Sequence, residues 1–203
     1  MMLLLAALLL QAAALQRQGP SVKLHSGAVV KGYVQKSLDG DVLAYLNLRY
    51  ATASRFGKPQ PYRPAATEVI DGSVMNEPCV QKHNGEVIGI EDCLSLAVFV
   101  PPGPSKPKPV LFFIHGGFLV DGKVSDYVGR LNYMALKSDA VVVAIQYRLN
   151  IMGFMQPFLS VPANRGLRDQ IEALRWVGAN IDSFGGDPNQ VLGVEKTSLP
   201  VDV

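Results

Sequence analysis

The chain has 203 residues, of which 48% are hydrophobic and 18% charged. That balance allows a packed core and excludes extended disorder. The net charge is +2 with Lys and Arg scattered, so no basic run points to a nucleic acid or an anionic membrane surface.

Residues 1 to 18 read as a secretory signal. Leu3 to Leu10 form a short apolar region, and Ala12-Ala13-Ala14 supply small residues for cleavage. The run is too short to span a bilayer; a buried N-terminal helix is the other reading. No later segment reaches transmembrane length, so the expected product is secreted and soluble.

From Val22 to Tyr45, two β-prone runs flank Asp39-Gly40, which predicts an antiparallel hairpin. Prolines between Arg55 and Pro61 mark an irregular surface stretch. Cys79 and Cys93 are the two cysteines. In an exported chain an even pair points to a disulfide, two buried thiols being the alternative. The segment between them is largely polar. Leu94 to Val100 reads as a strand.

Val110 to Ile114 is a continuous apolar run, preceded by Pro107 and Pro109 and followed by His115-Gly116-Gly117. It reads as a strand buried on both faces, as in a parallel sheet. The two glycines at its end make either a tight turn or a loop whose bare N–H groups can hold a developing oxyanion. Asp126 to Lys137 carries a helical pattern. Ala140 to Tyr147 is a third buried strand. Leu167 to Phe184 is the clearest helix, with Leu167, Ile171, Leu174, Val177 and Ile181 on one 3.6-residue face. Gly185-Gly186 stop it, and Pro188 blocks a restart. Strands alternating with helices predict an α/β chain with a mostly parallel sheet and an antiparallel N-terminal hairpin. The three histidines, His25, His83 and His115, share no metal-ligand spacing with each other or with the cysteines. No metal site and no cofactor is therefore expected.

Several separated motifs agree on a family. They include Arg55-Phe56 through Pro59-Gln60-Pro61, Glu91-Asp92-Cys93-Leu94, and His115-Gly116-Gly117 with Gly122. Further on come Tyr147-Arg148-Leu149 with Gly153-Phe154, and Ala163-Asn164-Arg165-Gly166-Leu167-Arg168-Asp169-Gln170. Trp176-Val177, Asn180-Ile181 and Phe184-Gly185-Gly186-Asp187-Pro188 complete the set. In order and spacing the chain resembles the N-terminal part of the type-B carboxylesterases, the cholinesterase-like branch of the α/β-hydrolases. The resemblance implies an α/β-hydrolase fold and a serine esterase acting on small carboxylic esters. It implies that Cys79 and Cys93 form the family's first disulfide. It also implies that N–H groups near Gly116, Gly117 and Phe118 supply two of the three oxyanion donors. Phe118 departs from the pattern, since the family places a small residue there.

The nucleophile pattern G-x-S-x-G occurs nowhere in the sequence. Counting along the family pattern puts Thr197 at the nucleophile position, with Glu195 and Leu199 where glycines belong. The acidic and histidine partners that follow the serine in this fold have no counterpart either, so no catalytic residue is assigned. The expected organisation is a signal over 1–18, a partial esterase domain over 19–192 and a divergent tail over 193–203. The expected product is a truncated, inactive member of an ester-hydrolase family. The alternative is a non-catalytic cholinesterase-like binding or adhesion protein.

Overall fold

The computed structural model describes residues 18–83, 85–103, 107–156 and 161–196. The expected signal segment, apart from Gln18, and Thr197 lie outside them. Twelve strands follow in order: β1 (Gln18–Lys23), β2 (Val29–Ser37), β3 (Gly40–Arg49), β4 (Ala51–Thr52), β5 (Gln60–Pro61) and β6 (Val69–Asp71). Then come β7 (Gln81–His83), β8 (Glu86–Ile88), β9 (Ser95–Val100), β10 (Lys108–Ile114), β11 (Val141–Ile145) and β12 (Gly186–Glu195). The α-helices are α1 (Val128–Ser138), α2 (Asn150–Gly153) and α3 (Arg165–Asn180).

The main sheet runs β1-β2-β3-β9-β11-β10-β12, with β6 paired to β2. The hairpin around Asp39-Gly40 forms as expected, with Ser37 opposite Gly40 and Tyr33 opposite Ala44. The antiparallel section reaches further than that hairpin. It continues through β3–β9 and β9–β11, and the parallel section is the trio β11, β10 and β12, together with the short β2–β6 pair. The α/β class holds in a mixed sheet. β12 pairs Val194 with Phe113 and Glu195 with Ile114, so the strand passes the expected boundary at 192–193 without a break.

Strand alternation builds two cores, because successive side chains leave opposite faces of a sheet. Val110, Phe112, Val141, Val143 and Ile145 meet α3 through Ala173, Trp176 and Val177. Phe113, Val142 and Ala144 meet α1 through Leu131 and Ala135 on the other face. Helices therefore cover both faces around β10 and β11, and the end of β10 opens between them.

The clearest predicted helix forms, with its last turn, Ile181–Phe184, tightened to a 3-10 helix ended by Gly185 in the left-handed region. Its expected inward face is corrected in part. Val177 and Ile181 are buried, but Leu167, Ile171 and Leu174 are exposed at 45%, 47% and 42%. The residues that turn inward are Arg165, Gly166, Asp169, Glu172, Ala173, Trp176 and Val177. Polar anchors decide this rotation. Arg148 grips Asp169 with two side-chain hydrogen bonds of 2.8 and 2.7 Å, and its own N–H adds a third at 3.1 Å. Arg165, fully buried, donates at 2.7 Å to the carbonyls of Ile151, Met152, Met155 and Pro162. A buried charge needs such partners, so these pairs outrank the apolar stripe in orienting the helix. Among the described residues no helix is long and apolar enough to cross a membrane.

Candidate functional site

The strand β10 delivers His115-Gly116-Gly117 to the end of the parallel trio, the side on which α/β sheets bind ligands. Gly117 has φ +132°, and Phe118 and Leu119 follow at +54° and +63°. Two bulky residues in succession in the left-handed region are a costly backbone arrangement of the kind that gathers at functional sites. The turn closes on itself: Val120 and Asp121 N–H groups donate to the Gly117 carbonyl at 2.9 and 3.1 Å. Among the described residues, the N–H groups of Gly116, Gly117 and Phe118 donate to no protein acceptor.

Close packing explains the glycines. A Cβ on Gly117 would stand 2.0 Å from the Asp121 carbonyl oxygen, and one on Gly116 would stand 2.6 Å from that of Lys196. A Cβ on Gly122 would press on both the Gly116 carbonyl and the His115 ring.

Beneath the loop, His115 is buried and stacked on Tyr147 with ring centroids 4.6 Å apart. Its Nδ1 lies 3.1 Å from the Gly116 carbonyl, and the Tyr147 hydroxyl donates to the His115 carbonyl at 2.9 Å. Burial holds the imidazole below the ordinary histidine range, although the Gly116 contact pulls the other way. A neutral ring with Nδ1–H donates to Gly116, and Nε2 then has no partner among the described residues. Amide C=O and N–H point in opposite directions across a planar peptide. Drawing the Gly116 carbonyl toward His115 therefore turns the Gly117 N–H away from the ring. Burial pushes the Tyr147 hydroxyl up to about 12, so it remains a donor across the physiological range.

Gly116, Gly117 and Phe118 line an open cleft of about 400 Å³ together with His83, Asp121, Gly122, Asp126, Tyr127 and Lys196. Lys196 Nζ sits 5.3 Å from the centre of the Tyr127 ring. Asp121 and Asp126 share the cleft with Lys196, so its lining carries charges of both signs. Phe118 is 77% exposed, so its ring stands at the mouth of the cleft and leaves the donors open.

All three glycine-loop residues singled out in the sequence thus meet at one cleft, and Cys79 is bonded to Cys93 with a Cα separation of 5.0 Å. The segment between the cysteines, expected as a polar loop, carries the small β7–β8 hairpin. Sequence reasoning missed four contributors: His83, Gln81, Asn150 and Lys196. No spacing rule links them to the glycines, since they arrive from three separate segments. His25, by contrast, lies elsewhere, 2.9 Å from the Asp182 carboxylate.

A profile described as the carboxylesterase family matches residues 18–193. The chain is 35% identical to Esterase FE4 of Myzus persicae over 185 residues, covering 85% of this chain and 32% of that protein. It is 41% identical to a juvenile hormone esterase of Tribolium castaneum over 144 residues, 68% of this chain and 24% of the relative. Against pyrethroid hydrolase Ces2e of Rattus norvegicus the identity is 35% over 193 residues, 85% of this chain and 34% of the relative. The chain spans about a third of the length of such relatives.

Proposed function

The chain belongs to the carboxylesterase family, and from that premise we propose that its glycine loop supplies the oxyanion donors of a carboxylic ester hydrolase. The supporting observation is the set of N–H groups on Gly116, Gly117 and Phe118 around one cleft, which among the described residues donate to no protein acceptor. In the full reaction of such an enzyme, a serine attacks the ester carbonyl and the carbonyl oxygen gains negative charge. Donors already aimed at that oxygen stabilise the transition state without reorganising. One donor is worth about 3–4 kcal/mol in comparable holes.

The sequence carries no G-x-S-x-G. Our reading is that these 203 residues cradle an oxyanion but do not attack a carbonyl. Two experiments test the two halves. Titration with methylphosphonate, a stable tetrahedral oxyanion, is expected to shift the amide resonances of Gly117 and Phe118; unmoved resonances would remove the oxyanion reading. Incubation with p-nitrophenyl acetate and with a fluorophosphonate probe is expected to give background hydrolysis and no adduct. A stoichiometric adduct would show a nucleophile that this reading does not contain.

We further propose that the product is exported, on the strength of the Leu3–Leu10 run, the alanines behind it and the disulfide, a bond favoured in oxidising compartments. N-terminal sequencing of secreted material should begin near residue 18.

A further inference from the structure

The glycine loop is fastened at Gly122 by the side-chain amide of Gln81 and at Leu119 by the backbone of Asn150, two residues that no motif singles out. Gln81 is 2% exposed. Its Oε1 accepts from the Gly122 N–H at 2.8 Å, while its Nε2 donates to the Gly122 carbonyl at 3.0 Å and to the Cys79 carbonyl at 2.9 Å. This reciprocal pair uses both ends of one amide, which a shorter or non-amide side chain cannot copy. Asn150 works at the other end. Its backbone N–H donates to the Leu119 carbonyl at 2.7 Å, and its Nδ2 donates to the Val80 carbonyl at 2.8 Å. Asn150 itself stands at φ +46°, a conformation that asparagine tolerates better than most residues.

Gly122 and Leu119 therefore both connect to residues 79–81, at the root of the Cys79–Cys93 bridge. Gly117 and Phe118 come just before these anchors, and the Gly117 carbonyl ties them to the anchored turn by accepting from the Val120 and Asp121 N–H groups. A backbone in the left-handed region persists only when its surroundings over-determine it. We infer that Gln81 and Asn150 are positioning residues, which use the disulfide-bounded segment as a rigid base to hold the Gly117 and Phe118 N–H groups toward the cleft. This rests on the oxyanion reading above, and it assigns the disulfide segment a role at the site.

The test uses the 203-residue chain with Gln81→Met, which keeps the volume and removes the amide, and separately with Asn150→Asp, which keeps Oδ1 and removes the Nδ2 donors. Among the described residues the amide hydrogens of Val120 and Asp121 bond only within the loop, so they report its shape and not the loss of the altered side chain. Their exchange is expected to speed up by roughly tenfold or more, the scale of one or two lost hydrogen bonds. The amides of Val142 to Ile145 in β11 should keep their rates. The methylphosphonate response of Gly117 and Phe118 should weaken in parallel. Unchanged exchange at Val120 and Asp121 would overturn the proposal. So would exchange that rises equally in β11, or a loosened loop whose phosphonate response is intact. If methylphosphonate moves no amide even in the unaltered chain, the oxyanion reading falls, and the exchange data alone decide whether the two side chains hold the loop.

Discussion

At the scale of single residues, the site depends on groups kept in unfavourable states by their surroundings. His115 is the clearest titrating case. Its folded-state pKa lies below the ordinary value because the ring is buried. The unfolded chain therefore takes up the proton first as pH falls. The contribution is present above ~6.5 and is lost progressively below it, by up to about 1.4 kcal/mol per pH unit. Urea midpoints measured at about pH 7.5 and 5.5 should differ more for the unaltered chain than for His115→Gln, because the substitution removes the buried imidazole. Phe118 offers the opposite test. Its ring is 77% exposed and its φ is +54°, so Phe118→Gly gives up little packing and relieves a left-handed conformation costing about 1–2 kcal/mol. After the entropy that glycine adds to the unfolded state, a net gain of about 0.5–1 kcal/mol is expected in denaturant melts. A loss would mean that the ring packs on something in solution.

At the scale of elements, helix α3 shows what periodicity can and cannot establish. The repeat from Leu167 to Ile181 predicted an amphipathic helix, and the helix is there. Which stripe faces the sheet was set by Arg148–Asp169 and by Arg165, because their burial leaves no freedom once the charges are paired. Arg148→Met should therefore cost about 3–5 kcal/mol, the penalty of stranding one member of a buried pair. Leu167→Gln, Ile171→Gln and Leu174→Gln should each stay within about 0.5 kcal/mol of the unaltered chain. Thermal denaturation of the four variants checks both halves. If the leucine and isoleucine changes proved the more damaging, the helix would be rotated from the orientation described.

At the scale of the whole molecule, β12 is an edge among the described strands, and Leu192 on it is 63% exposed. The exposed leucines and isoleucine of α3 lie on an element that packs against that strand. An unpaired strand edge beside apolar surface promotes association. Sedimentation velocity should show concentration-dependent oligomers for the unaltered chain and a shift toward monomer for Leu192→Lys.

Much of this organisation was legible in the sequence itself. The hairpin at Asp39-Gly40, the buried runs of β9, β10 and β11, helix α3, the glycine loop and the cysteine pair each depend on local composition or on a period of two or 3.6. Such signals are carried by neighbours along the chain. The tertiary structure alone decided the antiparallel reach of β9, the outward turn of Leu167, Ile171 and Leu174, and the meeting of Gln81 and Asn150 with the glycine loop. Those outcomes follow from pairing buried charges and satisfying buried amides across tens of residues. No local pattern records which distant carbonyl a given side chain will find.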